Sequence, residues 1–202
     1  MTPHAASVGL LAKTSRAIAV CLAGPVESPR LVRRGELVFW SKDEPLTIQP
    51  YHAVMERPWP QALVDVRPSV RAIERLAIDA LRRWLDELAA AGDTVGAIAI
   101  VGSMGSDPGL ITNPHIRAHA AEGQLFRQVL ETAASACGFA ATSFPPRTAA
   151  HAAAARLGMS DERLAQRVQA LGKGIVRPWR ADERLATCAA WAALAPPATP
   201  AR

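Results

Sequence analysis

The 202-residue chain has little cysteine and no long apolar run. Its three cysteines, Cys21, Cys137 and Cys188, are odd in number and far apart. That excludes a disulfide scaffold and a zinc ribbon, and it suits a reducing cytoplasm. No stretch of eighteen apolar residues occurs, which excludes a transmembrane helix, so no membrane partner is expected. Met1 to Ala12 lacks a basic region followed by a long apolar segment, so a secretory signal is not expected. Charged residues make up 20% and mean hydropathy is +0.07, too balanced for a disordered chain. There is no internal repeat. The glycines at 102, 105 and 109 lack the GxGxxG spacing, and no Gly-Lys-Ser/Thr follows them. A dinucleotide fingerprint and a P-loop are therefore absent. Ser103 and Ser106 do not sit in Gly-x-Ser-x-Gly, so a hydrolase elbow is not supported.

What is present is alanine, about a fifth of the chain, which favours closely packed helices. The net charge of +5 favours polyanionic partners. The length fits one domain over 1–195, with a structureless tail over 196–202. Val8 to Leu11, Ala17 to Leu22 and Leu31 to Trp40 read as three short strands joined by turns, an antiparallel meander. Ser41 to Arg67 carries four prolines and reads as an irregular loop, with Tyr51, Met55 and Trp59 as apolar anchors. Pro68 to Ala91 predicts a helix, its stripe running Ile73, Ala77, Ala80, Leu81, Trp84 and Leu88. Val95 to Val101 is uninterrupted apolar, the pattern of a strand buried on both faces. Asn113-Pro114 marks the start of a helix closed by Gly138. Phe139 to Phe144 predicts a fifth strand. Helices follow over Thr148 to Leu157, Ser160 to Leu171 and Arg180 to Leu194. The sum is an α/β order, β-β-β-α-β-α-β-α, with helices packed on a mixed five-stranded sheet and a right-handed crossover.

Three stretches carry a resemblance to a known family. They are the strand-turn-strand from Val8 to Val20, the central strand Val95 to Val101, and the alanine-rich closing helix Ala181-Asp-Glu-Arg-Leu through Leu194. Together with the element order they resemble the RuvC-type Holliday-junction resolvases of the ribonuclease H-like fold. The resemblance implies that fold, a DNA or RNA partner, a homodimer, and carboxylates that hold divalent metal against a phosphodiester. Here the family's opening-strand acid falls on Ala12, beside Lys13, and the central strand offers Ala99, Val101 or Gly102. Asp182 and Glu183 alone match, as the candidate catalytic pair, and they also complement a helix N-terminus. The resemblance therefore implies a catalytically degenerate nucleic-acid-binding or scaffold protein.

Further candidates come from the residues themselves. His115, His119 and Glu122 lie at i, i+4 and i+7 of one helix, so they share a face. Two histidines four apart with a carboxylate can ligate zinc or manganese. A solvated polar face gives the same pattern. Arg177 and Arg180 flank Trp179, a charge-and-stacking arrangement suited to nucleic acid. Lys13, Arg16, Gly102, Ser103 and Gly105 are candidates for phosphate binding, the glycines through backbone N–H groups. Two enzymatic alternatives follow. One is a nuclease with a relocated metal site (magnesium, manganese or zinc) built from Asp182, Glu183, His119 and Glu122. The other is a small-molecule or phosphate-binding enzyme that uses Lys13 with the Gly102 to Gly109 loop, as in actin-like relatives of the fold.

Overall fold

A computed structural model describes residues 5–105, 107–175 and 178–196. Strand β1 (Ala5–Lys13) turns through Thr14-Ser15 into β2 (Arg16–Ala23), with Lys13 opposite Arg16. The two-residue turn needs a left-handed residue, and Ser15 takes φ 61° there. Its hydroxyl donates to the Ile48 carbonyl at 2.7 Å. Strand β3 (Arg30–Val38) pairs antiparallel with β2. Phe39 follows as a fully buried core residue and Trp40 turns outward, so the strand stops two residues earlier than the apolar run predicts.

The chain then makes its proline-rich excursion. Two single 3-10 turns, Pro45–Thr47 and His52–Val54, lead to helix α1 (Trp59–Asp65). The crowding of prolines there predicts an irregular loop and no helix. Pro58 and Pro60, however, occupy the cap and first turn, where a missing N–H costs nothing. Helix α2 (Arg67–Ala90) follows and buries Ile73, Ala77, Leu81, Trp84 and Leu88, the predicted stripe. Strand β4 (Thr94–Val101) then runs parallel to β1. Helix α3 (Pro114–Ala136) begins at Asn113, whose Oδ1 accepts the Ile116 N–H at 3.0 Å. Strand β5 is only Thr142–Phe144, parallel to β4. Phe139 and Ala141, predicted as strand, instead pack against the core before the strand begins. Helices α4 (Ala149–Arg156), α5 (Asp161–Leu171) and α6 (Ala181–Leu194) complete the chain.

The sheet order is β3-β2-β1-β4-β5, mixed, with β2 alone antiparallel to its neighbours. This is the five-stranded arrangement of the ribonuclease H-like fold. Helices α2 and α3 cover one face of the sheet, and α6, flanked by α4 and α5, covers the other. Successive strand residues alternate between the two cores. On β1, Val8 and Leu10 belong to the α2–α3 side, while Leu11 belongs to the α6 side. Gly9 shares the α6 side: a Cβ there would sit 1.9 Å from the Ala186 carbonyl oxygen. The alanines of α6 and this glycine let helix and sheet touch backbone to backbone, and the Ser7 hydroxyl donates to the Ala190 carbonyl across the contact. Trp191 fills the far end of that core and donates its indole N–H to the Val26 carbonyl at 2.8 Å. Burial of a side chain of that size stabilises by about 2–3 kcal/mol. Among the described residues, no helix is long and apolar enough to cross a membrane.

Candidate functional site

Parallel β1 and β4 bring their carboxyl ends together, and the start of α6 lies beside β1. Lys13 is the last residue of β1 and faces α6, in phase with Gly9. Its Nζ stands 3.1 Å from Asp182 Oδ2, both side chains being more than a third exposed. Glu183, the neighbouring acid, is held more tightly. Its Oε1 lies 3.1 Å from Arg34 Nη1, which also donates to the Pro178 carbonyl. Its Oε2 accepts the Arg180 N–H at 2.9 Å, which caps the helix. Arg16 stands 3.6 Å from Glu36. The two candidate acids and the cations Lys13, Arg16 and Arg34 are thus paired with opposite charges. The Arg180 side chain is exposed, and Arg177 lies outside the described residues.

The glycine loop is on the other face. Gly102 ends β4 against α3: a Cβ there would come within 2.7 Å of Arg127 Cβ and 3.3 Å of Ala12 Cβ. Arg127 Nε donates to the Ser103 carbonyl at 2.8 Å, and Gln124 donates to the Gly105 carbonyl at 3.0 Å. The glycine at 102 therefore provides a close approach between strand end and helix, and α3 ties down the loop's carbonyls. Ser106 lies outside the described residues. Lys13 turns to the α6 face, where it pairs with Asp182, whereas a Cβ on Gly102 would face α3.

A second cluster lies at the N-terminal half of α3. His115 and His119 are exposed one turn apart, with their Nε2 atoms 3.1 Å from each other. His52, from the second 3-10 turn of the excursion, completes a group of three. One ring nitrogen of each lies within 4.8 Å of the others. The ring of His52 is 4.4 Å from that of His119 and 5.1 Å from that of His115, both edge-on. Glu122, predicted as a ligand, instead turns inward and is 3% exposed. Its Oε1 accepts the His52 backbone N–H at 3.2 Å and stands 2.9 Å from His52 Nδ1. Burial, and after it the charge of Glu122, pushes the Tyr51 hydroxyl above the ordinary phenol range. Tyr51 and Trp59 pack ring to ring at 5.6 Å, and the Arg117 guanidinium lies over Trp59. These contacts fix the segment that carries His52. Sequence reasoning found His115 and His119 from their helical spacing. It missed His52, a single histidine in a segment with no periodicity to place it. Asp182 and Glu183 do not join this cluster: among the described residues, the three histidines are the group of ligating side chains within reach of one ion.

Comparisons with known proteins add likeness at the level of overall shape. No family model matches the chain, and no curated protein matches it by sequence. Among solved structures, the chain is similar to the Thermus thermophilus RuvC structure, with 16% identity, 93% of this chain and 92% of that one covered, and a TM-score of 0.48. It is also similar to T. thermophilus RuvC in complex with Holliday junction substrate, with 18% identity, 94% and 92% coverage, and a TM-score of 0.46. A more remote likeness is to the Aquifex aeolicus member of the Ppx/GppA family, with 11% identity, 76% of this chain and 39% of that one covered, and a TM-score of 0.38. The fold assignment rests on this chain's own strand order.

Proposed function

We propose that this chain is a non-cleaving, nucleic-acid-binding member of the ribonuclease H-like fold, working as a binding or scaffold protein. The observation that carries the reading is the Lys13–Asp182 ion pair at the end of β1. A phosphodiesterase of resolvase type needs free carboxylates there to hold divalent ions. β1 and β4 carry none, and the two acids of α6 face Lys13 and Arg34. Each acid already stands beside a positive charge, which repels a divalent cation. The residues present do not fit a two-metal centre, and no cleavage step is assigned to it. The net charge of +5 and the exposed Arg180 favour a phosphate backbone as partner. The homodimer belongs to the same proposal, with exposed Trp40, Leu46, Ile48, Leu63 and Val64 as the apolar surface available to it.

The test is a gel assay with labelled four-way-junction and duplex DNA, first in EDTA and then with added magnesium or manganese. Retardation without cleavage is expected under all conditions. Metal-dependent cleavage that disappears in a folded Asp182→Asn variant would overturn the reading in favour of a nuclease. Absence of retardation at low salt would remove nucleic acid as the partner.

A further inference from the structure

We infer that His52, His115 and His119 form a binding site for one zinc-class transition-metal ion, with Glu122 orienting His52. The inference is independent of nucleic-acid binding and lies away from the Asp182–Lys13 pair.

Three observations converge on it. The first is spacing. A tetrahedral ion with metal–nitrogen bonds of 2.0–2.1 Å separates its ligand nitrogens by about 3.3 Å. His115 Nε2 and His119 Nε2 are 3.1 Å apart, and the nitrogen of His52 is within 4.8 Å of both. A small rotation of the exposed rings closes the remaining gap. The second is the state of His52. Its Nε2 is shielded from solvent and has no hydrogen-bond partner, while its Nδ1 lies against Glu122. A hydrogen bond between His115 and His119 satisfies one donor and one acceptor and leaves His52 Nε2 out. A shared cation gives each of the three rings a partner. The third is Glu122. Ligating histidines characteristically rest their second nitrogen against a carboxylate, which fixes the tautomer and strengthens the ligand. Glu122 is buried, stands 2.9 Å from His52 Nδ1 and anchors the same residue through its backbone N–H.

The chemistry of the ligands selects the ion. Three neutral imidazoles suit zinc, copper or nickel and offer nothing to magnesium or calcium, which take oxygen. Because His115 and His119 are exposed, a fourth coordination position opens to solvent. The bound ion also clips the 41–58 excursion to α3, since His52 comes from one and the other two ligands from the other.

The experiment uses full-length, tag-free protein stripped with chelator. Zinc is titrated against a competing chromophoric chelator, and cobalt(II) is followed by its visible absorption. Uptake of one equivalent is expected, with tetrahedral-type cobalt bands and a raised Tm, and magnesium is expected to do neither. His115→Ala and His119→Ala remove exposed side chains, so far-UV circular dichroism should be unchanged while zinc affinity falls by about 100-fold or more. Glu122→Gln should weaken binding by about 10–100-fold. No uptake at one equivalent overturns the inference. So does uptake that His119→Ala leaves unchanged in a folded protein.

Discussion

At the scale of single residues, small side chains decide where the layers meet. Gly9 is the clearest case, because α6 leaves no room for even a methyl group over β1. Gly9→Ala must push the Ala186–Ala190 backbone away along its length. A loss of at least about 3 kcal/mol in urea unfolding is expected, more than usual for so small a change. The cysteines are the opposite case, comfortable where they are and inert for that reason. Burial pushes the Cys21 thiol up to about 12, with the nearby Asp93 charge adding to it, and burial pushes Cys188 up to about 11. A thiol whose folded-state pKa is raised contributes stability that is fully present below its ordinary value of 9.0. That stability is lost as pH rises, because the unfolded chain releases its proton first. Between pH 9 and about 12, Cys21 should therefore remove about 1.4 kcal/mol per pH unit. Urea midpoints at pH 8 and pH 10.5 should fall further apart in the wild type than in Cys21→Ala, and equal slopes would show that the thiol is not the cause.

At the scale of elements, the long excursion after β3 is held from two sides. Ser15 reaches it from the β1–β2 turn and Glu122 from α3, and Arg75 pairs with Glu44 at its exposed edge. Ser15 combines two effects of opposite sign. Its left-handed backbone costs about 1 kcal/mol relative to glycine, and its buried hydroxyl bond returns about as much. Ser15→Gly should thus leave stability within about 1 kcal/mol of wild type, whereas Ser15→Ala, which keeps the strain and loses the bond, should cost about 1–2 kcal/mol more than glycine. Thermal melts of the pair check the ordering. Elements of this kind also show how far local pattern reaches. Ser160 as a cap, whose hydroxyl accepts the Arg163 N–H, and Gly138 and Gly158 at positive φ as helix stops were legible because each signal sits within four residues of its effect. So was the Ile73–Leu88 stripe. Helix α1 was hidden because its prolines read as breakers until their place in the first turn is known. β5 shrank at its start, where Phe139 and Ala141 pack against the core although β4 continues beside them. At the site, the i, i+4 histidines were visible, but His52 and the Lys13–Asp182 pair are contacts between distant parts of the chain. No periodicity encodes them; they follow from the sheet order.

At the scale of the whole molecule, that sheet order leaves one long edge. β3 presents nine residues, whereas β5 at the other edge presents three. An open edge of that length invites strand addition by a second copy. β3 opposes it with Arg30, Arg33, Arg34 and Glu36, whose charges are costly to bring against their own counterparts. Arg33 further lies over the Trp84 ring, and Arg30 is paired with Asp93, so these charges are fixed in place. The proposed dimer would therefore use another surface, and one apolar candidate among the described residues is the segment just beyond β3. Trp40 is 44% exposed and Leu46 55%, with Ile48, Leu63 and Val64 also outward. Removing two such side chains from water in each copy supplies the driving force for pairing, at about 25 cal/mol for each Å² buried. A charge in the same place is penalised by desolvation. Trp40→Glu combined with Leu46→Glu should thus convert a dimer to a monomer in sedimentation equilibrium. The far-UV spectrum should not change, because both positions are solvated in the isolated chain. A wild type that sediments as a monomer at every concentration would show that this apolar segment has some other use. A double variant that remains dimeric would place the interface elsewhere, with the charged edge of β3 the next surface to probe.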